Sequence, residues 1–233
     1  MEINNLYHRL LAWADKKRRA FQEFYYKDRF ANKVFLEIWK KNIWTGIESM
    51  SGPGSSLDQT RELRKILPRI LKKLKIKTFL DIPCGDFNWM KHVSMNFLKE
   101  YVGADIVPQI IEKNKKLYST KECKFRILDL ASDKLGTFDL IFVRDGFVHF
   151  SYKEIFRSID NLKASRSYYL LTTTFPDTQE NENIITGYWR PINLEKTPFN
   201  FPKPILMINE RCTEGNGAYK DKCMGLWKIK DLP

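Results

Sequence analysis

The chain has 233 residues, of which 43% are hydrophobic, a size and composition that suit a single α/β core. It contains no run of about eighteen apolar residues and does not begin like a signal peptide, so we predict a cytoplasmic protein without a membrane span. Its net charge of +12 favours polyanionic partners in general but defines no binding site. The four cysteines form no CxxC pair, which argues against a zinc site, and we predict no metal.

The N-terminal region is basic and has the spacing of amphipathic helices. Apolar and aromatic residues recur at helical intervals from Leu6 to Ile43, between lysines and arginines. We predict that residues 1–50 form a helical extension, which is either a lid over the site or the interface of a homodimer. The loop Ser51–Ser56, with its Gly-Pro-Gly core, then begins a domain that spans residues 51–233.

A helix is predicted from Leu57 to Leu74, with Pro68 bending or dividing it. Beyond it, short apolar runs of strand length alternate with segments that have room for helices, which is typical of a doubly wound, mostly parallel α/β sheet. The predicted strands are Thr78–Ile82, Tyr101–Ala104, Lys124–Leu128, Phe138–Val143, Tyr168–Thr173, Pro204–Ile208 and Gly225–Ile229.

The first strand leads into a segment, Phe79–Met90, that we interpret as a strand, a loop and a helix. Asp81 ends the strand, Gly85 allows a tight bend, and Asp86 precedes the predicted helix. Ligands of open parallel sheets bind at the carboxyl ends of the strands. Carboxylates there suit a ligand with a sulfonium and an ammonium group and argue against the pyrophosphate of a dinucleotide.

Two further acids follow the next two strands. Asp105 comes 105 − 81 = 24 residues after Asp81, close to the spacing at which such folds bind a ribose hydroxyl pair. Asp129 ends the third strand, where it suits an adenine amino group while Ile127 and Leu130 pack against the ring. The three acids together predict one cofactor site.

The fourth strand ends in polar residues at the edge where the reaction is expected. Asp145 and His149 are four residues apart, so they lie near one face if Asp145 opens a helix. A carboxylate paired with an imidazole adjusts the pKa of the histidine towards neutrality. We therefore predict Asp145 and His149 as the catalytic pair, one of them the base and the other its orienting partner.

These residues resemble the class I S-adenosylmethionine-dependent methyltransferases over roughly residues 78–175. The resemblance implies a Rossmann-like methyltransferase sheet with an antiparallel C-terminal strand, and S-adenosylmethionine as the cofactor. The cofactor contacts that we assign on this basis are Asp81, Pro83, Cys84, Gly85, Asp86, Asp105, Ile106, Asp129, Leu130 and Arg144.

A narrower set of motifs is similar to a bacterial methyltransferase group found in surface-glycan (capsule and lipopolysaccharide) gene clusters. This likeness covers Ser51 to Leu232. Its motifs are Ser51–Ser56, Leu80–Trp89, Thr172–Pro176, Gly187–Pro191, Pro198–Pro202 and Leu226–Trp227.

The long segment from Phe175 to Lys203 is expected to form a lid or a binding loop. Trp189, Arg190 and Asn193 are predicted to bind a polar substrate, possibly phosphorylated, because guanidinium groups bind phosphate and an indole ring stacks on a sugar. A second polar loop offers weaker candidates: Glu210, Glu214, Tyr219 and Lys222.

Three functions remain open at this point. The first is methyl transfer to a hydroxyl group of a small molecule or glycan precursor. The second is RNA methylation through the basic N-terminal helices, although a nucleic-acid partner is disfavoured because the Asn-Pro-Pro-aromatic motif of many base-methylating enzymes is absent after the fourth strand. The third is a non-catalytic binding protein, which the complete set of acids argues against.

Overall fold

The computed structural model describes residues 31–44 and 47–233; the predicted helix before residue 31 lies outside the described residues. Four α-helices and seven strands follow one another in the described part of the chain. The helices are α1 (Ala31–Lys40), α2 (Arg61–Lys73), α3 (Pro108–Tyr118) and α4 (Tyr152–Ala164). The strands are β1 (Thr78–Asp81), β2 (Glu100–Asp105), β3 (Cys123–Ile127), β4 (Leu140–Val143), β5 (Tyr169–Thr174), β6 (Leu206–Asn209) and β7 (Cys223–Lys228).

The strands form one sheet in the order β3-β2-β1-β4-β5-β7-β6. The first five pair in parallel, and β7 inserts antiparallel between β5 and β6. The predicted fold class, a mostly parallel doubly wound sheet with an antiparallel C-terminal strand, is confirmed. The carboxyl ends of β1, β2 and β4 meet at one edge, where the chain order reverses around β1.

Helices cover both faces of the sheet because strand residues alternate between them. On one face Phe79 and Phe142 pack with residues of α2 and α3; on the other, Leu80 and Ile141 pack with α4. The α2 helix buries Leu63, Leu67, Ile70 and Leu71, which recur at helical spacing. The Ser151 hydroxyl accepts a hydrogen bond from the amide of Glu154 and caps α4.

Two predictions about helices need correction. Pro68 lies inside α2 and does not divide it, whereas the bend, the other effect predicted for Pro68, stays a prediction. No α-helix follows β1: turns lead instead to a short 3₁₀ helix, Met90–His92. Phe87 there adopts the left-handed conformation with φ 59°, which interrupts a helix, and Phe87, Trp89 and Met90 are buried in the core that a helix would otherwise cover.

Candidate functional site

A cavity of about 990 Å³, open to solvent, lies at the carboxyl ends of β1, β2 and β4; we call it the first cavity. The predicted cofactor residues that line it are Asp81, Pro83, Cys84, Gly85, Asp105, Ile106, Asp129, Leu130 and Arg144. Phe35 and Trp39 of α1 line it as well, so the described part of the N-terminal extension borders the site. The alternative role of that extension as a homodimer interface stays a prediction.

Asp105 shapes the bend after β1. Its carboxylate accepts hydrogen bonds from the amides of Gly85 (3.1 Å) and Val107 (2.9 Å). Gly85 has φ 54°, and a Cβ there would collide with the hydroxyl of Ser51, so this position requires glycine. Burial raises the pKa of Asp105 to about 6, although these amides favour the carboxylate.

Asp81 is buried, and its only described hydrogen bond comes from the hydroxyl of Tyr101, at 2.5 Å. Burial raises the pKa of Asp81 to about 8, and the charge of Asp105 adds to this effect. Arg144 opposes it, but the guanidinium of Arg144 is already bound to Glu210 at 2.7 Å. The cavity therefore contains two buried carboxyl groups whose ionised forms would be stabilised by a cationic ligand.

Asp86 does not line the cavity, contrary to the predicted cofactor contact. Its carboxylate accepts hydrogen bonds from the hydroxyl of Ser49 (2.8 Å), the amide of Met50 (2.8 Å) and the hydroxyl of Ser51 (3.3 Å). We call this contact the latch. It fastens the segment that leads into the loop Ser51–Ser56, and Met50 and Ser51 line the first cavity.

A second cavity of about 850 Å³ adjoins the first. The two cavities share Trp44, Ser51, Asp145 and His149, so these four residues stand at their junction. The remaining walls of the second cavity come from the loop after Ser51, from Phe175 and Trp189, and from the polar loop before β7.

His149 is held at this junction by the backbone. Its Nδ1 lies 2.8 Å from the carbonyl oxygen of Tyr188; since a carbonyl only accepts, Nδ1 donates and Nε2 keeps its lone pair. Burial lowers the pKa of His149 to about 4, despite the nearby charge of Asp145. The structure differs from the predicted Asp145–His149 pair in two ways. The carbonyl of Tyr188, rather than Asp145, orients the ring of His149, and the pKa of His149 moves away from neutrality.

Asp145 has other partners. It adopts φ 54° after β4, and its carboxylate lies 2.7 Å from Nζ of Lys222 and 3.2 Å from Nη1 of Arg144. Burial alone would raise the pKa of Asp145, but the charges of Lys222 and then Arg144 hold it well below its usual range. Asp145 is therefore a fixed anion and a weak base. Glu210, buried beside Lys222 at 3.8 Å, completes the charge cluster.

Arg190 and Asn193 lie outside both cavities, and their predicted role in substrate binding needs correction. The guanidinium of Arg190 donates to the carbonyl oxygens of Phe147 (2.7 Å) and Phe150 (2.9 Å). The amide of Asn193 donates to the carbonyls of Pro176 and Thr178, both at 3.0 Å. Buried backbone acceptors need such donors, so these side chains stabilise the conformation of the loop. Trp189 lines the second cavity, as its predicted role requires.

Several residues at the site were absent from the predicted contacts. Trp44 stacks its ring 4.7 Å from that of His149, and Tyr101 is the partner of Asp81. The sequence marks Tyr101 only as a strand residue.

In the described ranges, no group of three or more potential ligands could hold a metal ion. No helix there is long and apolar enough to cross a membrane.

Solved structures with the same fold are methyltransferases. N-methyltransferase NodS from Bradyrhizobium japonicum WM9, in complex with S-adenosyl-L-homocysteine, aligns with TM-score 0.59 and 13% identity over 83% of this chain and 97% of its own. A SAM-dependent methyltransferase from Anabaena variabilis aligns with TM-score 0.58 and 14% identity, over 86% and 96%. No family model and no curated protein matches the chain. These likenesses show the methyltransferase fold.

Proposed function

We propose that the protein transfers a methyl group from S-adenosylmethionine to a hydroxyl oxygen of a polar small molecule or glycan precursor in the cytoplasm. The observation that carries the cofactor assignment is the pair of buried carboxyl groups, Asp81 and Asp105, in one cavity at the strand ends. A sulfonium and an ammonium group would offset the cost of ionising them. The fold shared with NodS, a protein solved with the spent cofactor, supports the same choice.

The residues fit the cofactor at each part of the first cavity. Asp81 and Asp105, which line this cavity, would hold the charged amino-acid portion and the ribose, and Asp129 and Leu130, which also line it, would hold the adenine. Bound S-adenosylmethionine supplies an electrophilic methyl group on a positive sulfur. The chain then has to align an acceptor oxygen and remove its proton.

His149 is the base in this proposal. Its Nδ1 hydrogen bond to the Tyr188 carbonyl fixes the ring and leaves Nε2 as an acceptor at the junction of the cavities. As the acceptor oxygen bonded to the methyl carbon, the carbon–sulfur bond would break with its electron pair on sulfur, which gives S-adenosylhomocysteine. The hydroxyl proton, made acidic by this step, would move to Nε2 of His149, for which a weak base suffices. The low pKa of His149 then returns the proton to water.

The cofactor assignment is tested by titration calorimetry with S-adenosylmethionine in two buffers of different ionisation enthalpy. In the protein without cofactor, Asp81 is largely protonated near pH 7, since its pKa is about 8. A bound cation favours the ionised carboxylate. We expect proton release on binding and an affinity that rises with pH up to about 8. Asp81→Asn should bind about 100-fold more weakly, about 2.7 kcal/mol, and release less proton.

The matched control is Asp160→Asn, at an exposed acid of α4 that lines neither cavity. It should bind the cofactor as the unchanged protein does. Equal affinities for Asp81→Asn and the unchanged protein would show that the cofactor does not use this carboxyl group.

A further inference from the structure

We infer that the second cavity is the acceptor site and that it takes a ring compound with several hydroxyl groups and no anionic group, such as an unphosphorylated sugar. The inference rests on the proposed function and goes beyond it by naming the part of the acceptor that enters. The cavity meets the first cavity at His149, which lines both. An acceptor in it can therefore present an oxygen to the base.

The walls of the second cavity are aromatic on one side. The rings of Trp189 and Tyr219 lie 4.6 Å apart at 66°, and Phe175 packs edge-on against Trp189 at 5.9 Å. Trp189 remains 38% exposed although it belongs to this cluster. Aromatic rings that line a cavity suit the C–H face of a sugar ring, because indole and phenol rings combine a large apolar body with a polar tip.

The charges of the cavity exclude a tightly bound phosphate. Among the described lining residues Lys222 is the one cation, since His149 is neutral. The ammonium group of Lys222 is buried, 2.7 Å from Asp145 and 3.8 Å from Glu210. Glu214 adds a second lining carboxylate. The lining thus carries more negative than positive charge, although the whole chain carries +12. An anionic group would meet a paired ammonium and repulsion from two carboxylates.

The same groups suit hydroxyl donors. Glu214, Asp145 and Lys222 converge on Gly54: a Cβ at Gly54 would lie 3.1 Å from Glu214 Oε2, 3.6 Å from Asp145 Oδ2 and 3.7 Å from Lys222 Nζ. Carboxylate oxygens accept several hydrogen bonds each, so a polyhydroxyl ring finds acceptors beside the aromatic wall. A Cβ at Gly54 would crowd the Glu214 carboxylate and take up part of this space.

The test is saturation-transfer NMR and calorimetry on the full chain with S-adenosylhomocysteine bound. The probes are methyl glycosides of glucose, galactose and mannose, and their 6-phosphates. We expect the neutral glycosides to give saturation transfer to their ring protons and the 6-phosphates to bind at least about tenfold more weakly. Tighter binding of the 6-phosphates, or no binding of any neutral glycoside, would overturn the inference.

Variants at two positions, Glu214 and Trp189, sharpen the result. Glu214→Lys introduces an unpaired cation and should make the 6-phosphates bind more tightly than the neutral glycosides. Glu214→Gln removes only the repulsion between the carboxylate and a phosphate, so it should reduce the difference in affinity between the two kinds of ligand. Trp189→Ala should abolish the signal from the ring protons, and Trp189→Phe should retain part of it. An unchanged preference in Glu214→Lys would contradict the assigned charge pattern.

The controls separate this inference from the proposed function. All variants should keep the cofactor affinity and the unfolding temperature of the unchanged protein, which shows that the fold and the first cavity persist. A protein that binds the cofactor but no neutral glycoside refutes the acceptor assignment alone. A protein that fails to bind the cofactor refutes the proposed function itself.

Discussion

Two carboxyl groups, the buried Asp81 and the half-buried Asp145, occupy related places in the sheet and differ in charge. Asp81 ends β1, and Asp145 lies two residues beyond β4, the parallel neighbour of β1. Burial opposes ionisation at both positions. At Asp81 the hydrogen-bond partner is a neutral hydroxyl, and the pKa rises to about 8; at Asp145 the cations of Lys222 and Arg144 overcome burial and hold the pKa far below its usual range. The partner therefore decides the charge.

This difference matches the roles of the two cavities. A carboxyl group without a cation of its own is available to a cationic ligand, so Asp81 suits a cofactor that arrives with positive charge. Asp145 is already neutralised by its cluster and offers an incoming ligand only hydrogen-bond acceptors. Because Asp145 is so weakly basic, we propose His149 as the group that removes the proton at the junction.

The largest effect that bears on this comparison is expected at the base. His149→Ala removes the acceptor for the hydroxyl proton and should lower kcat for methyl transfer about 1,000-fold, within the usual range for a general base. Cofactor affinity should stay within about twofold, because the carboxyl groups of the first cavity are untouched. The measurement is S-adenosylhomocysteine formation with the acceptor glycosides, followed from pH 5 to 9.

The pH profile adds a second criterion. In the unchanged protein, kcat should be flat above about pH 5, because the pKa of His149 is near 4 and the ring is already neutral there. His92→Ala, at an exposed histidine, is the control and should have no effect. A fall in kcat around pH 6 to 7 would instead indicate a base with an ordinary histidine pKa.

A smaller effect is expected when each carboxylate loses its partner. Lys222→Met leaves Asp145 and Glu210 with one cation fewer in a buried cluster and should lower the free energy of unfolding by about 3 kcal/mol. Tyr101→Phe removes one hydrogen bond from a largely neutral Asp81 and should cost about 1 to 1.5 kcal/mol. Urea unfolding at pH 7 measures both. Equal costs would mean that the two carboxylates do not differ in charge.

The sequence predicted the sheet well because its strands are short apolar runs with clear ends. It also placed Asp81, Asp105 and Asp129 at one edge, since parallel strands bring their carboxyl ends together. It failed at the helix after β1. The left-handed conformation of Phe87 and the burial of Trp89 and Met90 depend on the tertiary core, which local patterns do not reveal.

The acceptor side was harder to predict for a related reason. Asp145 and Lys222 are 77 residues apart, and only the antiparallel insertion of β7 beside β5 brings the loop that carries Lys222 to the junction. Arginine is a residue type that often binds substrates, yet the path of its loop directs Arg190 to backbone carbonyls. Polar residues in loops indicate a role only once the path of the backbone is known.

The smallest effect we predict concerns the latch, which ties the two cavities together. Asp86 binds Ser49, Met50 and Ser51, and Ser51 lines both cavities, so the loop above them depends on one carboxylate. Asp86→Ala should free the loop and speed dissociation of S-adenosylmethionine about tenfold, since lid opening governs ligand escape. Stopped-flow displacement measures this rate.

Asp160→Ala serves as the matched control for the latch and should dissociate at the unchanged rate. The affinity of the neutral glycosides should fall together with that of the cofactor in Asp86→Ala, because Gly54, whose carbonyl accepts from Arg144, belongs to the same loop. If cofactor release stayed at its original rate, the charge cluster around Arg144 would be sufficient to hold the loop. If only the cofactor responded, the two cavities would be closed by separate segments, and the shared junction would be limited to Trp44, Asp145 and His149.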